Sequence, residues 1–145
     1  MRISRTVPIR ASISTARACL RDPIRLVTPQ DDFELRAKGA GRYEVIFDFE
    51  GKRREVDIRC EDTPRGARYT GHARGFDLSM EADIEETRDG AMLLLSAWTE
   101  ARTLKARMMS AGLSAMTSRI EPRFERIAKR IAARLEAQGR DGSAG

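Results

Sequence analysis

Histidine and cysteine are scarce in this chain, and their scarcity excludes several kinds of site. The 145 residues include one histidine, His72, and two cysteines, Cys19 and Cys60, with no Cys-x-x-Cys motif. A zinc site needs three or four such ligands close together. The chain also lacks the nucleophile-elbow motif that places a catalytic serine at a sharp turn. We therefore expect no metal, no cofactor and no catalytic residue of these types.

Long apolar runs and aromatic residues are also in short supply. No segment approaches the roughly 18 apolar residues of a membrane span, and the N-terminal segment MRISRTVPIR lacks the apolar core of a signal peptide. These features predict a cytoplasmic protein with reduced thiols. Aromatic residues make up 6% of the chain, which leaves its basic segments without platforms for base stacking. No nucleic-acid partner is expected, although the net charge is +5.

Alternating apolar residues occupy the middle of the chain. A first strand at residues 2–9 and two short helices precede a period of two that runs from Phe33 to Ala97. This pattern predicts six further antiparallel strands, each with one buried and one solvated face. Charged residues, which make up 34% of the chain, fall mostly on the solvated face.

Three turn signals predict how these strands pair. They are Gly51-Lys52, Gly75-Phe76 and Asp89-Gly90. Each is typical of a two-residue hairpin turn. The resulting register joins apolar residues, as in Val45–Ile58, Tyr69–Ala82 and Ile84–Leu95. A slip of one residue would turn these side chains to solvent, so the register predicts which of them face inward.

The period becomes helical after about residue 104. Apolar residues then recur at steps of three and four, namely Met109, Leu113, Met116, Ile120, Phe124, Ile127, Ile131 and Leu135. They predict an amphipathic helix of roughly 30 residues. Pro122 is expected to kink it or to mark a break near Ile120, and Gly139 to cap its end. Residues 1–138 would form a single domain, and residues 139–145 a flexible tail.

These elements define one architecture. A sheet with one apolar face must bury that face, and the long helix is the only predicted element large enough to cover it. We predict an α+β helix-grip fold, in which a seven-stranded antiparallel sheet curls around a long C-terminal helix, with two short helices after the first strand.

Three segments of the chain resemble a known superfamily. They are FDFEGKRREVDI and GHARGFDLSMEADIE in the central hairpins, and EARTLKARMMSAGLSAMTSRIEPRF between the last strand and the helix. Together with the element order over residues 2–138, they resemble the START-like or SRPBCC superfamily, which includes polyketide cyclase-like and lipid-transfer proteins. The most similar group is one of small bacterial members with an Arg-Thr-Leu-x-Ala-Arg junction. The resemblance implies a space for a small apolar ligand between sheet and helix.

The inward positions name the residues that would surround such a ligand. Gly71, a small residue in a middle strand, would leave volume, and Arg54 would meet an anionic head group at the cavity mouth. The predicted cavity residues are Tyr43, Val45, Phe47, Arg54, Ile58, Tyr69, Gly71, Met80, Leu95, Met109, Leu113 and Met116. The alternative is that these side chains fill a solid core, with the tyrosine hydroxyls bonded to backbone carbonyls.

Three functions are compatible with these features. The first is non-enzymatic binding of a small hydrophobic or lipid-like molecule, and the second is a cyclase- or hydrolase-type reaction on the same fold. The third is a peripheral membrane or protein-interaction module, in which Arg119, Arg123, Arg126 and Arg130 make weak contact with an anionic membrane. Trp98 is predicted on the outer face of its strand, where it suggests a homodimer.

Overall fold

The computed structural model describes residues 2–28, 31–49, 51–73, 75–115 and 117–143, with side chains except at 49, 110–120 and 140–143. Its elements follow the predicted order. They are β1 (Arg2–Ile9), α1 (Ile13–Leu20), a 3-10 helix (Pro23–Leu26), β2 (Phe33–Gly39), β3 (Arg42–Phe49), β4 (Lys52–Thr63), β5 (Gly66–Ala73), β6 (Phe76–Thr87), β7 (Gly90–Ala101), α2 (Leu104–Ala115) and α3 (Thr117–Ser143).

The strands form one antiparallel sheet. Strands β2 to β7 each pair with their neighbours in sequence, and β1 pairs with β7, which gives the order β1-β7-β6-β5-β4-β3-β2. Two short helices connect β1 to β2, and the helices after β7 cover the sheet. The α+β helix-grip fold predicted from the sequence is therefore confirmed.

The three hairpins are paired two residues away from the predicted register. The residues that flank the turns are Phe49 and Lys52, Ala73 and Phe76, and Thr87 and Gly90. Gly51 and Gly75 occupy the second turn position, with φ of 72° and 81°, which glycine adopts without steric cost. The predicted register is wrong, but a shift of two residues leaves each side chain on its predicted face.

Helix α3 lies over one side of the sheet. It packs chiefly against β1 and α1. Its sheet-facing residues Ala128, Ala132 and Leu135 are buried, and their spacing places them on one face of a helix. The two alanines let the helix approach the sheet closely, so this side of the molecule has a tightly packed core.

The C-terminal helical region differs from the prediction in two places. It is divided into α2 and α3 around position 116, whereas Pro122 lies inside α3 and does not end it. The helix continues past Gly139, so the predicted cap there is wrong: a Cβ at Gly139 would lie 3.3 Å from the Cβ of Ala11, and glycine serves this close contact. Among the described residues, no helix is long and apolar enough to cross a membrane.

Candidate ligand cavity

A cavity of about 380 Å³ lies between the sheet and α3. Its wall is almost entirely apolar. The sheet contributes Val45, Ile58, Tyr69, Met80, Ala82 and Ala97, helix α3 contributes Ile127 and Ile131, and the segment from α1 to β2 contributes Leu20, Pro23, Leu26, Val27, Phe33 and Leu35. The volume lies within the range of roughly 300–1,000 Å³ that small-molecule sites occupy.

The cavity follows from the relative widths of helix and sheet. Seven strands about 4.8 Å apart are roughly 29 Å wide, whereas one helix with its side chains is about 10–12 Å across. Helix α3 packs on the β1 side, and the segment from α1 to β2 covers part of the remainder. Between α3 and the segment from α1 to β2, the strands carry the small inward residues Gly71, Ala82 and Ala97. The space above these residues stays open.

Five of the predicted cavity residues line this cavity. They are Val45, Ile58, Tyr69, Gly71 and Met80. Gly71 has a second role, because a Cβ there would lie 3.0 Å from the backbone oxygen of Asp57. The glycine therefore allows β4 and β5 to approach closely, in addition to leaving space above the sheet.

The other predicted cavity residues are placed elsewhere or lie outside the described side chains. Tyr43 and Leu95 are buried in the core, and Met109 is 46% exposed on α2. Phe47 lines a separate groove beside β3, on which Asp31, Asp32, Glu34 and Asp48 also lie. The side chains of Leu113 and Met116 lie outside the described residues. Their membership of a ligand site stays a prediction.

Arg54 faces inward but does not border the cavity. Its side chain is partly buried, and its Nε is a buried atom without a hydrogen-bond partner among the described residues. It pairs across the sheet with Phe47, at the end of the β3–β4 hairpin. The predicted contact between Arg54 and an anionic head group therefore has no support from the geometry of this cavity.

Tyr69 has the only phenol that borders the cavity in the described part of the chain. Its hydroxyl donates a hydrogen bond to the backbone oxygen of Leu20, and the residue is 8% exposed. Burial raises the pKa of Tyr69 well above its ordinary value, with a smaller effect from Cys60. The phenol therefore stays neutral and its proton is held by the backbone, so it is poorly placed to act as an acid or base.

Two arginines of α3 and one aspartate form a charged cluster at the edge of the cavity, which we call the arginine clamp (Asp31, Arg130 and Arg134). Arg134 Nη2 donates to Asp31 Oδ1 at 2.8 Å and Arg134 Nη1 to Asp31 Oδ2 at 2.9 Å. Arg130 Nη1 donates to Asp31 Oδ1 at 2.9 Å. Both arginines line the cavity, and the Asp31 side chain is 1% exposed. The clamp joins α3 to the segment before β2.

The clamp keeps Asp31 ionised. Burial by itself raises the pKa of Asp31, but the hydrogen bonds from Arg134 and from the backbone N–H of Thr28, together with the two guanidinium charges, lower it below its ordinary value. The carboxylate accepts the Thr28 N–H at 2.8 Å. Arg134 also donates to the backbone oxygen of Leu26 and to Thr28 Oγ1. The loop before β2 is therefore held to α3 by charge-assisted hydrogen bonds.

Sequence reasoning missed this cluster. The sequence predicts only that Arg119, Arg123, Arg126 and Arg130 form a basic stripe along the helix, which contacts an anionic membrane. Arg123 and Arg126 are indeed exposed, but Arg134 is tied to Asp31, which lies 103 residues away in sequence. No local spacing signals a pairing over such a separation. Contact of the stripe with a membrane stays a prediction.

His72, Cys19 and Cys60 are not among the described residues that line the cavity. Among the described residues, no group of three or more His, Cys, Asp and Glu side chains could hold a metal ion. Cys19 and Cys60 are free and buried. Burial raises the pKa of Cys19, and burial with the nearby carboxylates raises the pKa of Cys60 to about 11. Both thiols are therefore protonated and poor nucleophiles.

Trp98 lies where a homodimer contact was predicted. It pairs with Arg2 across β1 and β7, and the Arg2 guanidinium carbon is 4.9 Å from the centre of its ring. This is a cation–π contact. Trp98 is also one of the residues that line the cavity. The ring is partly covered within the chain itself, and a homodimer through this face stays a prediction.

Solved structures with the same fold identify the architecture. The chain is similar to TTHA0849 from Thermus thermophilus (17% identity, 94% of this chain and 97% of that one, TM-score 0.64). It is also similar to the Zhui aromatase/cyclase from Streptomyces sp. R1128 (17% identity, 97% of this chain and 93% of that one, TM-score 0.61). A START superfamily protein from Mycobacterium smegmatis is a further similar structure (14% identity, 97% of this chain and 97% of that one, TM-score 0.55). The chain therefore has the START-like, or SRPBCC, fold. No protein-family model and no curated protein matches the sequence.

Proposed function

We propose that this protein binds a small hydrophobic molecule, non-enzymatically, in the cavity between the sheet and α3. The observation that carries the proposal is the cavity of about 380 Å³ with an apolar wall. Each methylene group that moves from water into such a space contributes about 0.8 kcal/mol. A chain or ring system of modest size would therefore bind without further specific contacts.

The enzyme alternative has less support. One of the structures with this fold is an aromatase/cyclase, but fold does not determine function. Catalysis requires an acid, base or nucleophile beside the ligand. The ionisable residues that line the cavity, within the described part of the chain, are Tyr69, Arg130 and Arg134. The phenol proton is held by a carbonyl, and an arginine does not lose its proton in a protein. Binding is therefore the function we propose.

A neutral fluorescent dye tests the cavity directly. We expect N-phenylnaphthylamine to bind with increased fluorescence, and the variant Met80→Trp to bind it at least about tenfold more weakly, because the indole fills the space above β6. The same substitution at Met92, which lies on the opposite face of the sheet on β7, is the matched control and should leave binding unchanged. Equal binding by both variants, with folding checked by circular dichroism, would place the dye outside the cavity and refute the proposal.

We extend the proposal to the cellular location. Cys19 and Cys60 are free thiols, and unpaired thiols persist in reducing compartments. This supports a protein that works in the cytoplasm. Fractionation of the native cells, followed by thiol labelling of the unfolded protein, is the measurement. Recovery of the protein with oxidised cysteines from an extracytoplasmic fraction would contradict it.

A further inference from the structure

The arginine clamp borders an otherwise apolar cavity. The lining contains many aliphatic side chains and two full charges, those of Arg130 and Arg134, both on α3. A ligand that extends through the apolar part therefore ends beside guanidinium groups. The cavity thus has an apolar body and one cationic edge, which is the arrangement that matches an amphiphile.

The two arginines differ in how fully they are bonded. Arg134 is 20% exposed and donates to Asp31, Leu26 and Thr28. Arg130 is 46% exposed, and its partner among the described residues is Asp31, through one hydrogen bond from Nη1. A guanidinium has five N–H donors in a planar fork. Arg130 therefore has donors left for a further acceptor, whereas Arg134 is largely saturated.

The charges at the clamp do not cancel. One carboxylate, Asp31, faces two guanidinium groups, so the cluster carries one excess positive charge. An acidic groove beside β3 adjoins the clamp, because Asp31 lines it together with Asp32, Glu34 and Asp48. Of these four residues, none is among those that border the cavity. On the cavity side, an anionic group of a ligand would therefore neutralise the excess charge of the clamp.

We infer that the ligand is an amphiphile with a carboxylate head group, and that Arg130 binds this head group while the apolar part occupies the cavity. The inference rests on the proposed function and specifies the class of its ligand. Arg130 suits a carboxylate because its planar fork donates two parallel hydrogen bonds to the two oxygens. Asp31 already binds Arg134 with this geometry.

Three compounds with the same alkyl chain separate head group from tail. Decanoate, decanol and decylamine compete with N-phenylnaphthylamine for the cavity, at a pH where the acid is ionised and the amine protonated. We expect decanoate to bind about tenfold more tightly than decanol, and decylamine to bind most weakly. Decylamine binding as tightly as decanoate, or decanol binding as tightly, would overturn the inference while the proposed function stood.

Substitutions on α3 assign the preference to one residue. Arg130→Gln should remove the advantage of decanoate and leave decanol binding unchanged, which also shows that the variant is folded. Arg130→Lys keeps the charge but loses the fork, and should retain part of the advantage. Arg126→Gln, one turn earlier and exposed, is the matched control and should behave like the unchanged protein.

The outcomes distinguish the two proposals. If the dye binds and Met80→Trp weakens it, but Arg130→Gln leaves decanoate binding unchanged, the inference fails and the cavity remains a hydrophobic site. The same conclusion follows if none of the three compounds displaces a dye that binds in the cavity. If the dye does not bind to the unchanged protein and none of the three compounds does, the proposed function fails, and the inference fails with it.

Discussion

The two halves of the sheet's inner face are packed in different ways. We call the half at β1 and β7 the packed side and the half at β3 to β5 the cavity side. On the side of β1 and β7, helix α3 lies directly on the strands, and Ile84, Leu93, Leu95 and Leu135 are completely buried. On the side of β3 to β5, the inward residues Val45 and Ile58 are only partly buried and line a cavity. One helix covers about a third of a sheet of seven strands. The same apolar face therefore provides stability on the packed side and binding space on the cavity side.

The largest effect is expected on the packed side. Leu93→Ala removes a completely buried side chain, and we expect the free energy of unfolding to fall by about 2–5 kcal/mol. Val45→Ala, on the cavity side, should cost about 1 kcal/mol, because its side chain already borders open space. Urea denaturation followed by circular dichroism measures both. Similar losses at the two positions would mean that the two sides are equally packed.

The next effect concerns the clamp, which links the two sides. Asp31→Asn removes the charge that pairs with Arg134 and should lower the free energy of unfolding by about 1–3 kcal/mol. The loss is smaller than for a fully buried ion pair, because solvent screens the partly exposed arginines. The pKa of Asp31 is lowered in the folded protein. Its contribution is therefore complete above its unfolded pKa of about 3.9, and is lost as the pH falls through the lower folded value.

The pH series supplies the control for this prediction. The stability difference between the unchanged protein and Asp31→Asn should be constant near neutral pH. It should shrink below the unfolded pKa of the carboxyl group as both states become protonated. A difference that stays the same throughout the acid range would show that the loss comes from packing and not from charge.

A smaller effect is expected at the buried phenol. Tyr69→Phe removes the hydrogen bond to the Leu20 oxygen and should lower the free energy of unfolding by about 1 kcal/mol. Dye binding should be retained, because the ring still lines the cavity. Loss of dye binding without loss of stability would mean that the Tyr69 hydroxyl contacts the ligand and is not only a structural hydrogen-bond donor.

The smallest effect is expected on α2. Met108 is 74% exposed, and Met108→Ser should change the free energy of unfolding by no more than about 0.5 kcal/mol. Thermal and urea unfolding of the variant, at several protein concentrations, are the measurements. A marked and concentration-dependent loss of stability would show that this part of α2 is covered by a second chain.

The hairpins show how far sequence reasoning reached. Period-two patterns placed each strand and each inward face correctly, because a strand reverses its side chains at every residue. The pairing was wrong by two residues, and in the first two hairpins the reason is that a glycine is compatible with either central turn position. Gly51 and Gly75 take the second position. A two-residue shift leaves the faces unchanged, so the local pattern did not contain the information that distinguishes the two registers.

The cavity shows the same division between local and tertiary information. Val45, Ile58, Tyr69, Gly71 and Met80 were named from their inward positions, and they line it. Leu95 was named on the same grounds, but it lies on the side that α3 covers and is completely buried. Inward orientation is a local property. Whether an inward residue meets a helix or an open space depends on where the helix lies across the sheet.

Side-chain periodicity and turn chemistry are local properties of the chain. They were sufficient to predict the element order, the inward face of each strand and the amphipathic character of the last helix. Tertiary packing sets the hairpin register, the position of α3 towards β1, and the pairing of Asp31 with Arg130 and Arg134. Each of these depends on residues that are far apart in sequence. Their relative positions are set by the packing of the whole chain and not by any local pattern.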